Sequence, residues 1–217
     1  MTLSEENYLK AIFHLEKKSK KGVSTNAIAE EMETKASSVT DMLKKLSEKK
    51  VLQYKPYQGA SLTKEGRDYA IKVIRKHRLW ECFLVEKLNF NWDEVHVVAE
   101  QLEHIKSDKL IRELDKFLEF PKTDPHGDPI PDQDGNIFMV EKILLSSMQQ
   151  NDKGICVGVN DSSSAFLKYL DKNEIALGKT IEVIGKEEFD DSMTILIKDK
   201  KLTISGLAAN NLYMKVC

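Results

Sequence analysis

Tyr8, Leu9, Ile12, Phe13 and Leu15 repeat at helical spacing, predicting a helix over residues 4–18 with Ser4 as its N-cap. A second, short helix is predicted over 26–33, capped by Ser24 or Thr25. A turn at Thr34 and Lys35 leads to a third helix over 36–50, with Val39, Met42, Leu43 and Leu46 on one face. Two strand-like runs flank Pro56 and Gly59, and a long helix starts near Thr63 and runs to about residue 87. A second long helix spans about 93–118, with Asp93 as its cap. Residues 121–136 hold four of the five prolines and read as a linker, while 137–149 fit helix or strand equally. From residue 154 short alternating runs ("GICVGV", "TIEVIGKE", "SMTILIKD", "KLTISG") read as strands, with a helix over 163–173 between the first two.

Helix, short helix, turn, helix and hairpin, in that order, make a winged helix-turn-helix. The predicted fold class is therefore mainly α with small β parts. A winged helix-turn-helix occupies 1–63, a helical domain 64–136 ends in the Pro-rich linker 121–136, and an SH3-like β-barrel occupies 150–217. The two long helices have more apolar residues than one intrahelical face needs. That surplus predicts a homodimer interface, for which Trp80, Phe83, Leu84, Leu110 and Leu114 are candidates.

Composition changes this picture in two places. No apolar run is long enough to span a bilayer or serve as a signal core, and Cys82, Cys156 and Cys217 stand far apart, which points to a reducing, cytoplasmic setting. The net charge of −2 is unevenly spread: residues 1–76 hold 16 Lys and Arg against 10 Asp and Glu, the remainder 17 against 25. A basic front end suits a polyanion such as double-stranded DNA. Ala36, Ser37 and Ser38 at the start of the third helix permit close approach to phosphate or base edges, with Thr40, Lys44 and Lys45 farther along it. Lys55 and Tyr57 sit on the wing.

Four of the five histidines fall between residues 77 and 126, close to the carboxylates of the two long helices. On an unbroken helix His96, Glu100, Glu103 and His104 share an arc of about 100°. His77 and Glu81 are one turn apart, as are His96 and Glu100, and Glu100 and His104. One such pair alone is ordinarily a surface ion pair; two stripes on adjacent helices can converge on a metal ion. Imidazole nitrogen and carboxylate oxygen without thiolate suit Mn²⁺ or Fe²⁺ and tolerate Zn²⁺, Co²⁺ or Ni²⁺.

The runs "ENYLKAIFHLE", "RKHRLWECFLVEKLNFNWDEVHVVAEQLEHIKSD" and "FPKTDPHGDPIP" resemble the diphtheria-toxin-repressor/MntR family of metal-dependent transcriptional repressors, and the C-terminal part resembles its FeoA-like SH3 module. The resemblance covers nearly the whole chain. It implies a main regulatory metal site of Glu100, Glu103 and His104, joined by Asn7 from the first helix. It places His77 in the same centre or in a neighbouring one with Glu81 and His96, and adds Asp124 and His126 from the linker and Asp161 from the C-terminal module. Iron-responsive relatives have Cys at the Glu100 position and Met at the Asn7 position, whereas manganese-responsive ones have Glu and Asp. Asn7 is neutral, Lys10 stands where some manganese members have Glu, and Asp124 where close relatives have Cys.

The expectation is a homodimeric repressor of metal-uptake genes, activated by Mn²⁺ or Fe²⁺ with Mn²⁺ favoured, binding palindromic operator DNA, with no membrane partner and no small-molecule substrate. A dinuclear carboxylate–histidine enzyme is the rival from another class. Its bundles use a Glu-x-x-His pair on each of two helices, and none occurs between 64 and 118. A non-enzymatic protein whose barrel docks peptides is a third reading, which fold alone cannot separate.

Overall fold

The computed structural model describes residues 1–17, 22–56 and 58–216, which divide into two compact units. The first comprises Met1–Arg78, Glu100–Arg112 and Pro131–Ile137; the second comprises Leu79–Ala99, Glu113–Ile130 and Phe138–Cys217.

The first unit opens with α1 (Leu3–Glu16), whose N-cap is Thr2 rather than the expected Ser4. Thr2 and Glu5 form a reciprocal capping box: the Thr2 amide donates to Glu5 Oε2 at 3.0 Å and the Glu5 amide to Thr2 Oγ1 at 3.3 Å. Glu5 supplies the carboxylate at the third helical position that a cap at Ser4 would lack. Helix α2 (Thr25–Glu31) is capped by Ser24, and α3 (Ala36–Glu48) buries Val39, Leu43 and Leu46, the i, i+4, i+7 stripe of an amphipathic helix. These side chains pack with Leu9 and Ile12 of α1 and Ile28 of α2 into one core. Strands β1 (Leu52–Lys55) and β2 (Gly59–Leu62) form the wing hairpin, which Val23 extends by an antiparallel bridge to Ala60. Helix α4 (Lys64–Leu88) begins against the wing: a Cβ on Gly66 would lie 1.9 Å from the Val51 carbonyl oxygen, so only glycine permits this approach.

The expected single helix over 93–118 is two helices, α5 (Val95–Leu102) and α6 (Asp108–Phe117). Ser107 starts the second: its Oγ accepts from the Leu110 amide at 3.3 Å, an N-cap interaction that ends any continuity with α5. Asp93 is not a helix cap; its carboxylate accepts from Ser164 Oγ at 2.9 Å and pairs with Lys168 at 3.3 Å.

The second unit contains a six-stranded antiparallel sheet in the order β3 (Ile143–Leu144), β8 (Leu212–Val216), β4 (Lys153–Val159), β5 (Thr180–Lys186), β6 (Met193–Ile197), β7 (Lys200–Ile204). Shifts of register at Cys156/Gly158 and Val183/Gly185 curve the sheet. Alternate residues such as Ile181, Val183, Met193, Ile195, Leu212 and Met214 fill its core together with Leu167 and Leu170 of α7 (Ser164–Lys172). The ambiguous stretch 137–149 resolves into β3 and the 3₁₀ turn Leu145–Ser147, and the short α8 (Gly206–Ala209) precedes β8. This is the small SH3-like barrel expected, with β3 and β8 as strands the sequence reading passed over.

Three of the proposed dimer residues are already buried within the chain: Trp80, Leu84 and Leu114. Trp80 meets Phe83 edge-to-face at 5.8 Å, and Phe83 meets Phe117 at 6.1 Å. Of the five candidates, Leu110 is exposed, and Leu88, Val97, Phe117 and Phe120 are other exposed apolar side chains of this region. Residues 121–136 are not a loose tether: Thr123 bridges to Pro129, and Asp132 Oδ1 accepts from the amides of Asp134 and Asn136.

Candidate metal centres and DNA-reading face

The stripe predicted over His96, Glu100, Glu103 and His104 divides. Helix α5 ends at Leu102, so Glu100 projects from its last turn while Glu103 and His104 lie in the turn that follows. Within the first unit these three meet residues from α1 and α4. Glu103 is fully buried and receives two partners: His77 Nδ1 at 2.6 Å from Oε2, and Lys10 Nζ at 2.8 and 2.9 Å from its two oxygens. Lys10 also donates to Glu100 Oε1. His104 Nδ1 lies 2.7 Å from Glu6 Oε2, and its Nε2 is 3.6 Å from Glu103 Oε1.

Two buried ligand-type atoms of this unit have no hydrogen-bond partner: His104 Nε2, and Asn7 Oδ1 on α1 between Glu6 and Lys10. A buried polar atom left unpaired costs on the order of 1–3 kcal/mol. Both are ligand atoms for a hard or borderline divalent cation, and His77, Glu100 and Glu103 offer donor atoms within 4.8 Å of one another. The Glu6, Glu100 and Glu103 carboxylates cluster here, faced by the Lys10 ammonium and, from α4, by Lys76. The donor set therefore fits a divalent cation. Asn7, Glu100, Glu103, His104 and His77 all lie in this unit.

A second group belongs to the other unit. Glu81, Asp124 and His126 are all buried and place donor atoms within 4.8 Å of one another. His126 Nδ1 is 3.7 Å from Glu81 Oε2, and His96 Nδ1 is 3.4 Å from Glu81 Oε1. The "DPHGDP" segment holds this geometry by a turn: Asp124 Oδ1 accepts from the His126 amide at 2.9 Å and the Asp128 amide at 3.0 Å. Gly127 adopts φ +84°, and a Cβ there would fall 2.1 Å from the Val157 carbonyl oxygen. His126 Nε2 is 2.8 Å from the Trp92 carbonyl oxygen. Burial alone would push the His126 imidazole down, but the Glu81 and Asp124 carboxylates outweigh it, and its pKa rises above the ordinary value. Among the described residues Asp161 is not in this group; its Oδ1 accepts from the Ser163 amide at 2.8 Å.

On the reading face, Ala36, Ser37 and Ser38 are exposed at the start of α3, and Thr40 Oγ1 donates to the Ala36 carbonyl. Lys44 reaches outward, with Asp41 at 3.9 Å, and Lys55 is exposed on the wing; Tyr57 lies outside the described residues. Lys45 differs from expectation, because Glu5 holds its ammonium at 2.9 Å. Glu5 also accepts from Lys49 at 2.8 Å, joining α1 to the end of α3.

Sequence reasoning missed Glu6 and gave Lys10 only as a departure from relatives. Glu6, Asn7 and Lys10 share an arc of about 100° on α1, a polar stripe beside the apolar face of Leu9 and Ile12. That stripe was the signal.

Comparison with known proteins agrees across the chain. Residues 1–60 match the iron dependent repressor N-terminal DNA binding domain, 63–132 the iron dependent repressor metal binding and dimerisation domain, and 143–216 the FeoA domain. The iron-dependent repressor IdeR of Mycobacterium leprae (strain TN) is 36% identical over 126 residues, covering 58% of this chain and 54% of that protein. The chain thus spans about half the length of the curated relative it matches. A solved manganese-dependent transcriptional repressor in complex with manganese is 32% identical, covering 98% of this chain and 100% of that one, with a TM-score of 0.87. The manganese regulator SloR is 32% identical over 100% of both chains, with a TM-score of 0.77.

Proposed function

Because the chain belongs to the diphtheria-toxin-repressor family of metal-dependent repressors, we propose that it represses metal-uptake genes as a Mn²⁺- or Fe²⁺-activated homodimer on palindromic operator DNA in the cytoplasm. Residues 1–63 act as the winged reader, 64–136 as the metal-responsive and dimerising part, and 150–217 as an SH3-like accessory module. Family and donor pattern alike set the chain apart from the helical-bundle metalloenzymes.

One observation supports this reading above the others: Glu6 and Lys10, flanking Asn7 on α1 of the reader, contact His104, Glu100 and Glu103 around the end of α5, while Asn7 Oδ1 and His104 Nε2 are buried without a hydrogen-bond partner. A divalent cation there supplies charge that both segments can share. Asn7 Oδ1, His104 Nε2 and the Glu100 and Glu103 carboxylates would hold it, with His77 beside them. Glu6 keeps His104 oriented, and the apolar contacts of α1 with α3 transmit the position of Asn7 to the reading helix. Moving a reader from one productive conformer in a hundred to ninety-nine takes about 5.5 kcal/mol of differential ion affinity. Oxygen and nitrogen donors without thiolate favour Mn²⁺. The second group, Glu81, Asp124 and His126 with His96 beside it, is a further cation site on the same chemistry; Asp161 is its outlying candidate.

The test is fluorescence anisotropy on duplex DNA selected from a random pool with Mn²⁺-loaded protein. Affinity should rise sharply with Mn²⁺ or Fe²⁺, fall with chelator, and lose its metal dependence in Glu103→Gln. Equal affinity in all conditions ends the proposal.

A further inference from the structure

Lys10 is placed as no ordinary surface lysine would be. Its Nζ lies 2.8 and 2.9 Å from the two oxygens of the fully buried Glu103 and donates also to Glu100, and its side chain is only 13% exposed. Those are the two carboxylates that the proposed centre needs, so the ammonium and a divalent ion seek the same oxygens.

We propose that Lys10 is a tethered competitor for the regulatory ion, a cation that the protein itself supplies to Glu100 and Glu103. This inference rests on the function proposed above. Three features point to it. Lys10 sits one turn beyond Glu6 and beside Asn7 on α1, so its attachment point belongs to the reader. Glu103 is completely buried, and a buried carboxylate without a counter-charge is strongly disfavoured; Lys10 meets that need when no metal does. Lys76 also faces Glu103, but it is Lys10 that hydrogen-bonds both Glu100 and Glu103 and so occupies the oxygens an ion would use.

Two consequences follow for the ion-free and ion-bound protein. Without metal, the Lys10 pair holds α1 against the end of α5, so the reader is partly restrained rather than loose. To present both carboxylates fully, Lys10 must release at least one of them, and its flexible four-carbon stem makes that movement inexpensive compared with shifting a helix. Metal affinity is thereby set lower than the donor set alone would give, which places the threshold of the response at a higher free-ion concentration.

Isothermal titration of full-length protein with Mn²⁺ tests this, using wild type, Lys10→Met and Lys10→Arg. Methionine keeps the length and removes the charge, so the high-affinity event should tighten by about tenfold or more, the equivalent of one charge-assisted hydrogen bond no longer opposed. Arginine grips carboxylates through a planar fork, so Lys10→Arg should bind Mn²⁺ several times more weakly than wild type. A thermal melt run alongside should show a larger Mn²⁺-induced rise in Tm for Lys10→Met than for wild type. Equal Mn²⁺ affinity in wild type and both variants overturns the competition while leaving the proposed function standing. Binding by none of the three overturns both. Should Lys10→Met not fold, an unchanged or tightened affinity in Lys10→Arg is sufficient to reject the inference.

Discussion

Glu6 Oε2 lies 2.7 Å from His104 Nδ1, so a carboxylate on the first helix orients an imidazole ninety-eight positions later. As an acceptor, Glu6 selects the tautomer with hydrogen on Nδ1 and leaves the Nε2 lone pair, which has no other partner, toward the carboxylates. Glu6→Ala should weaken Mn²⁺ binding by roughly 10–100-fold, while leaving the donor atoms themselves in place. Titration calorimetry decides it, and an unchanged affinity would show that His104 needs no such support.

Asn7 is the neutral member of the donor set, and its Oδ1 is buried without a partner. Asn7→Asp adds a negative charge where a cation is expected. Its Mn²⁺ affinity should rise by about tenfold, as charged acceptors bind more strongly than neutral ones. In the absence of metal the variant should melt lower than wild type, because the added carboxylate has no counter-charge beyond Lys10. A variant that melts higher without metal contradicts this account.

Glu5 ties α1 to α3 and predicts acid sensitivity. Burial would raise its carboxyl, but Lys49, the Thr2 amide and Lys45 overcome that and hold it at about 2, against an ordinary 4.5. A depressed folded-state value means stability that is present above 4.5 and lost as pH falls from 4.5 toward 2. Allowing for screening of the half-exposed lysines, the contribution is about 1–2 kcal/mol. Urea midpoints at pH 6 and pH 3 should fall further apart in wild type than in Glu5→Gln.

Lys44 extends from the exposed side of α3, whereas Lys45 is engaged by Glu5. Lys44→Ala should weaken binding to all duplexes and reduce the slope of log affinity against log salt by about 1. Lys45→Ala should alter that slope less and stability more. Ser38→Ala should change preference among sequences with little effect on the slope. An intact slope in Lys44→Ala would remove α3 from the phosphate backbone.

Gly127 lets the turn that holds Asp124 and His126 approach β4 at its Val157 carbonyl. Gly127→Ala puts a Cβ-bearing residue at φ +84° with a steric clash, and should cost about 2–4 kcal/mol. A thermal melt reads the loss directly. It should also separate His126 from Glu81, reducing Zn²⁺ or Mn²⁺ stoichiometry measured by mass spectrometry.

Helices with strong amphipathic stripes were legible: Val39, Leu43 and Leu46 identify α3, and the capped Ser24 start identifies α2. The interruption after Leu102 was harder, because Val95, Val98, Leu102 and Ile105 continue the helical period and no Gly or Pro marks the stop. Ser107 followed by Asp108 was the readable sign of a new start. Strand β8 was also readable in the alternation of Leu212, Met214 and Val216, yet its partner β4 lies more than fifty residues earlier, a pairing that local pattern does not encode. Spacing alone put His96 in one stripe with Glu100, whereas the family resemblance offered Glu81 as its neighbour. His96 approaches Glu81 rather than extending the Glu100 stripe, and Lys45 turns to Glu5, because tertiary neighbours decide both.

The termination of α5 at Leu102 gives the backbone itself a part in choosing a cation. The last four carbonyls of a helix lack intrahelical donors, and together the aligned peptides place about half a negative charge at that end. Glu103 and His104 follow immediately, so any positive ion they hold sits in an attractive field that no side-chain substitution can remove. Had the helix continued, those same donors would lie along its flank, where peptide dipoles give no such preference for positive over negative ligands.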